Sequence, residues 1–191
     1  MKIKGVKNIE FLAKGKRSKV YTGMIKGKKV AIKVSTRAGI EAGWLKILNK
    51  KRIGPEIITP TEDILIYTFV EGERILDYIK NHNKKQILTV LKEVFRQCRV
   101  IDKLKINKKE MHNPWKHILI GKKVKMIDFE RCYKTNNPKN VTQFGQFLLR
   151  GKSLLGSKGV MLNKKEFIRL LKQYKKDPTN PNFSKIINLL L

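Results

Sequence analysis

Apolar and polar residues alternate along the first part of the chain, in "KVYTGMI" (19–25) and "KKVAIKV" (28–34). Alternation turns one face of a strand to a core and the other to water, so residues 8–34 are predicted to form short strands joined by turns. Gly27-Lys28 separates the two runs and fits a hairpin turn. The period then lengthens. In "AGIEAGWLKILNKKRIG" (38–54), Ile40, Trp44, Leu45 and Leu48 recur at helical spacing, and Gly54-Pro55 stops the helix. "DILIYTFV" (63–70) predicts another strand, ending before Glu71-Gly72. The stretch 75–106 carries apolar stripes of helical period and predicts two helices broken near Asn81-His82-Asn83. "HILI" (117–120) and "KVKMIDF" (123–129) predict a hairpin around Gly121-Lys122. "VTQFGQFLLRG" (141–151), "NKKEFIRLLKQYKK" (163–176) and "NFSKIINLLL" (182–191) predict three closing helices. Strands followed by helices imply an α+β chain of two lobes: a strand-rich domain over 1–70 and a helix-rich domain over 71–191.

Composition narrows this picture. A chain of 191 residues, 41% hydrophobic and 8% aromatic, can bury a core and is not disordered by composition. Its longest apolar runs are too short to cross a bilayer, so no membrane span is expected. No cationic leader with an apolar centre and cleavage site opens the chain, so no secretory signal is expected. Cys98 and Cys132 have neither metal-site spacing nor a disulfide pattern, and the expected setting is cytoplasmic and reducing. The charge is extreme: 44 Lys and Arg against 15 Asp and Glu, a formal net charge of +29. Such a field attracts RNA, DNA, anionic lipid or phosphorylated small molecules. The alternative is a lysine-rich solubility surface, but the Lys enrichment of hyperthermophile proteins comes with Glu, which is scarce here. The basic residues run along the whole chain and mark no single footprint.

Four constellations could carry chemistry. "LAKGKRSKVY" (12–21) has Gly15 and Ser18 between two strand-like runs. It is either a plain hairpin or a tight loop whose N–H groups can approach phosphates. "VAIK" (30–33) puts Lys33 in an apolar strand, on the face of Ala31. Lys33 is either an edge lysine reaching water or a buried cation that needs an anionic partner. A small residue beside a cation suits a flat ring lying next to a phosphate. Glu41, eight residues on, either pairs with Lys33 or simply favours the start of its helix. Finally, Glu110, His112 and His117 precede the predicted hairpin, and Asp128 and Glu130 follow it. A hairpin sets its two ends side by side, so Glu110, His117 and Asp128 are expected to converge. Zinc is not expected, since His112 and His117 lack helical spacing and no cysteine lies close before them. His82, alone in a polar loop, reads as a surface histidine.

In this order the four constellations resemble the protein-kinase-like fold over about residues 8–150. "VAIK" is the most literal match, and the resemblance makes Lys33 the contact to the α/β-phosphates and Glu41 its partner on the next helix. "LAKGKRSKVY" is similar to a degenerate glycine-rich loop, with Ala13, Gly15 and Ser18 at the three glycine positions and Val20 and Ala31 beside the nucleotide. Tyr67 to Val70 falls at the hinge, which implies adenine contacts from Phe69 and Val70. "IDFE" resembles the metal-binding Asp-Phe-Gly signature, with Asp128 in the magnesium role and Glu130 replacing the glycine. The family's catalytic loop has an Asp; here "KKEMHNPWKH" stands in its place, two residues longer. The resemblance gives Glu110 the acceptor-activating role and His117 the second-metal position. A small archaeal group of predicted Ser/Thr kinases, distantly akin to lipopolysaccharide-type kinases, has a similar arrangement. No Ala-Pro-Glu run or long activation segment follows Asp128, which implies a minimal C-lobe as in RIO-like and small-molecule kinases. The implied function is an ATP- and Mg²⁺-dependent phosphotransferase, Ser/Thr-kinase-like, acting on a protein or small-molecule acceptor. The alternative is a pseudokinase or an RNA- or ribonucleoprotein-binding module that takes ATP without transferring phosphate.

Overall fold

The computed structural model describes residues 1–190 and shows an α+β protein with antiparallel sheets. It divides into two compact units. The first comprises Met1–Glu71 together with Lys125–Arg131; the second comprises Gly72–Val124 and the chain from Cys132 onward.

The first unit is built on β1 (Lys7–Lys14), β2 (Lys19–Ile25), β3 (Lys28–Val34), β4 (Ile57–Pro60) and β5 (Ile64–Thr68), in the order β1-β2-β3-β5-β4. The β2–β3 turn is Lys26-Gly27, one residue earlier than Gly27-Lys28, because both of these residues take positive φ (47° and 75°) and Lys28 already pairs with Ile25. Two consecutive left-handed residues give the turn whose twist matches the strands it joins. Alternation sorts β3 into two faces. Val30 and Ile32 join Ile66, Tyr21, Ile25 and Ile64 on one side. Ala31 and Lys33 point to the other, opposite Tyr67 and Leu65 of β5. Helix α1 (Ala38–Asn49) buries Ala38, Glu41, Ala42, Leu45 and Leu48. Each leucine withdrawn from water stabilises by about 1.5–3 kcal/mol. Ile40, expected inside, is 52% exposed, because the buried stripe of α1 runs through the alanines and Glu41 instead.

In the second unit, β6 (Glu73–Arg74) leads into α2 (Ile75–Asn81) and α3 (Lys84–Lys103). The predicted break falls at Asn83, whose side chain accepts from the Gln86 N–H while the Gln86 side chain accepts from the Asn83 N–H. This reciprocal cap satisfies two donors that a helix start leaves open. Then come β7 (Ile106–Lys108), a 3₁₀ turn (Lys109–His112), β8 (Ile118–Ile120), β9 (Val124–Met126, its last two residues counted in the first unit) and β10 (Cys132–Lys134). The regular strand stops at Met126, short of the predicted Phe129. Four helices close the chain rather than three: α4 (Asn140–Arg150), α5 (Lys152–Ser157), α6 (Lys164–Lys176) and α7 (Asn180–Asn188). Phe95 meets Phe144 edge-on at 4.8 Å and Phe167 at 6.4 Å, which locks α3, α4 and α6 together. Beneath them, Asp102 accepts from the Asn140 side chain and N–H, the Val141 N–H and the Tyr174 hydroxyl. No helix among the described residues is long and apolar enough to cross a membrane.

Candidate active site

The first unit gathers a charged cluster around one lysine. The Lys33 ammonium donates to Glu41 Oε2 at 2.7 Å and Asp128 Oδ1 at 2.9 Å, and lies 3.0 Å from Glu130 Oε2. β3 sits between β2 and β5, so Lys33 is no edge lysine; it is 5% exposed. Burial disfavours its charge, but Glu41 and Asp128 outweigh that and hold its pKa above the ordinary lysine value. Glu41 is almost wholly buried and serves two partners, since its Oε1 accepts the Phe129 N–H at 3.0 Å. One glutamate thereby ties α1, β3 and the segment 128–130 together.

That segment is shaped for the task. Asp128 has φ of 65°, in the left-handed region, which Asp tolerates better than most residues with a Cβ. Phe129 is fully buried. It packs beside Gly54, where a Cβ would come within 2.6 Å of a Leu45 methyl and 3.1 Å of the Phe129 ring. The Lys125 ammonium donates to the Gly54 carbonyl at 2.8 Å, which pins the segment from its other end.

Three carboxylates therefore surround one ammonium. Oxygens of Glu41, Asp128 and Glu130 lie within 4.8 Å of one another. Hard oxygen donors at this spacing suit a small divalent cation, and the ammonium alone leaves formal negative charge behind. The Asp128 side chain, 32% exposed, is the most accessible member of the cluster. Tyr67 lies beside it; burial, and then the charge of Glu41, raise its pKa above the usual tyrosine value.

The other expected residues are distributed as follows. Gly15 and Ser18 lie in the β1–β2 turn, closed by the Gly15 N–H donating to the Ser18 carbonyl at 2.8 Å. A cavity of about 480 Å³ opens beside this turn, lined by Lys14, Lys16, Arg17 and Lys19. Val20 pairs in register with Lys33, and Ala31 with Tyr67. The Phe69 N–H donates to the Lys29 carbonyl at 3.3 Å, and the Lys29 ammonium sits 4.2 Å above the Phe69 ring. Val70 is half-buried. Glu110 and His117 belong to the second unit. Glu110 is buried in the 3₁₀ turn, with Oε2 3.2 Å from the wholly buried Lys108 ammonium. His117 is half-buried, its N–H donating to the Pro114 carbonyl. Pro114 is buried, and Trp115 is flanked by Arg74 and Lys116. His82 stacks on Tyr78, and the exposed His112 gives its carbonyl to Arg150.

Sequence reasoning missed Asp128 and Glu130 as further partners of Lys33, and the buried lysine at 108. The available signal was the scarcity of acids: with 15 in the chain, two within three residues at a strand end were candidates for one cation. Set against known proteins, the sequence matches no family model and no curated protein.

Proposed function

We propose that the chain is an ATP-dependent phosphotransferase of two-lobed, protein-kinase-like architecture, using ATP and Mg²⁺. One observation carries the reading: Lys33, Glu41 and Asp128, singled out by their order in the sequence, lie within 3 Å contacts of one ammonium. The family signature needs a lysine on the third strand, a glutamate on the next helix and an aspartate after a later strand, and the chain has each in that context. In this reading Glu41 fixes the Lys33 ammonium, Lys33 holds the α/β-phosphates, and the N–H groups and cations of the β1–β2 turn lie over the phosphate chain. Asp128 and Glu130 carry the oxygens that fit Mg²⁺, which when bound neutralises charge on the phosphate oxygens. On the resemblance alone, Glu110 takes the acceptor-activating role and His117 the second-metal position. The acceptor is a protein Ser/Thr or a small-molecule hydroxyl.

Thermal melts with ATP–Mg²⁺, ATP alone and Mg²⁺ alone test the nucleotide site. Wild-type protein is expected to melt higher with ATP–Mg²⁺, and Asp128→Ala to lose that rise. A shift of about 2.7 kcal/mol corresponds to ligand at 100 times Kd. No shift at millimolar nucleotide overturns the reading. Glu130 favours a second reading, because a third carboxylate on Lys33 competes with phosphate for the same ammonium. A protein that melts higher with ATP but transfers no labelled phosphate to any acceptor, or to water, is a nucleotide-binding pseudokinase.

A further inference from the structure

The second unit carries 26 Lys and Arg against 7 Asp and Glu. A cavity of about 660 Å³ lies where the end of α3, the loop 136–139 and the α6–α7 connection meet. Six of its twelve lining residues are cationic, although Lys and Arg make up under a quarter of the chain. Lys103, Lys105, Lys139, Lys175 and Lys176 are exposed around it. Among the described residues none of these five forms an ion pair.

The wall between them is rigid and turned inward. Arg99, nine-tenths buried, donates to the Tyr174 hydroxyl, the Pro178 carbonyl at 2.5 Å and Asn180 Oδ1. It thus joins α3 to the α6–α7 connection and fixes where Lys175 and Lys176 project. Asp102 is the one carboxylate in the lining, and its oxygens already accept four hydrogen bonds from Asn140, Val141 and Tyr174. Asp177, at the rim, is held by Asn182 and Thr179. These acids are held in place by neutral donors, and the lining stays net positive because six cations face the single carboxylate of Asp102. Asn136 and Asn137 add exposed amides on the loop.

We propose that this groove binds the phosphodiester backbone of a single-stranded nucleic acid. Exposed lysines on separate elements act as mobile point charges along a strand, whereas a single phosphate is captured by converging, buried donors. Backbone contact of this kind is sequence-independent and steeply salt-dependent. The site is distinct from the Lys33 cluster and stands whether or not that cluster transfers phosphate.

The test is binding of a fluorescein-labelled 20-mer of oligouridylate, read by anisotropy over a range of NaCl concentrations. The groove variant is Lys103→Ala/Lys139→Ala/Lys175→Ala. A control with the same net charge is Lys84→Ala/Lys85→Ala/Lys92→Ala, from a shallower cavity lined by α3 alone. Melting curves first establish that both variants are folded. The groove variant is expected to bind at least tenfold more weakly than the control. Its log Kd–log salt slope is expected to be lower by about 2, as the loss of three phosphate contacts to a single strand requires. Equal losses in the two variants overturn the proposal, because the whole-molecule field then accounts for binding. So does a groove variant that loses affinity for inorganic tripolyphosphate and keeps that for the oligouridylate, which makes the groove a small-anion site.

Discussion

Lys33 shows how one residue can be both costly and necessary. Its ammonium and Glu41 are both buried, so removing Lys33 strands the Glu41 charge, whereas Lys33 without Glu41 keeps Asp128 and Glu130. Lys33→Met is expected to lower stability by about 3–5 kcal/mol, and Lys33→Met/Glu41→Gln to recover part of that loss. Urea unfolding of the two variants checks this; equal losses would mean that Glu41 is not left uncompensated. The same site sets the alkaline limit. Lys33 is raised above the ordinary lysine value, burial opposing the shift and Glu41 and Asp128 imposing it. Tyr67 and Tyr174 are raised too, by burial first and then by the charges of Glu41 and Asp102. In each case the folded state holds its proton longer than the unfolded state, so stability falls as pH rises through about 10. Tyr67→Phe is expected to flatten the denaturation midpoint against pH between about 9 and 11, and an unchanged curve would remove Tyr67 from this role. Lys33 and Glu41 were legible as a pair because an ion in an apolar strand demands a partner, whereas Asp128 was singled out as a metal ligand at a strand end, not as a partner of Lys33. Nor was Glu130 legible as a partner, since the left-handed turn at Asp128 lies outside any strand periodicity.

At the scale of elements, legibility followed length. The 20 residues of α3 repeat their stripe several times and carry their own cap, so both the helix and its start could be read. β4, β6, β7 and β10 have two to four residues, too few for alternation to differ from chance; β4 exists through pairing with its neighbour β5, and β6, β7 and β10 through pairing with distant strands. The α1 stripe misled at Ile40 because Glu41, a polar residue, occupies the buried face for its ion pair. Gly54 marked the end of α1 in the sequence, but its tertiary role was hidden: it takes φ of 79° and leaves room for Leu45 and Phe129. Gly54→Ala meets both a disfavoured backbone region and a closed space, so a loss above about 1 kcal/mol is expected. The ATP–Mg²⁺ melting shift is expected to shrink as well, because Phe129 fixes Asp128. A destabilised variant with an undiminished shift would separate Gly54 from the site.

Over the whole molecule, like charge sets the response to salt. A net charge of +29 on 191 residues repels itself in the compact state more than in the expanded one. Added salt screens that repulsion over a Debye length of about 10 Å at 0.1 M. It also weakens exposed pairs such as Arg96–Glu93 and Arg169–Glu166, but solvent-exposed pairs of this kind contribute little to stability. The Lys33 cluster is buried and loses less to screening. Repulsion spread over the surface should therefore outweigh the pairs, and the melting temperature is expected to rise between about 20 and 500 mM NaCl, over which the Debye length falls from about 20 to about 4 Å. For a chain of this size each 1 kcal/mol of relief corresponds to about 2–4 °C. A melting temperature that falls with NaCl would mean that attraction among the exposed pairs exceeds the repulsion. The sign also bears on the groove of the second unit. A polyanion seated there relieves the same repulsion by contact, so oligouridylate should raise the melting temperature most at low salt and progressively less as NaCl is added.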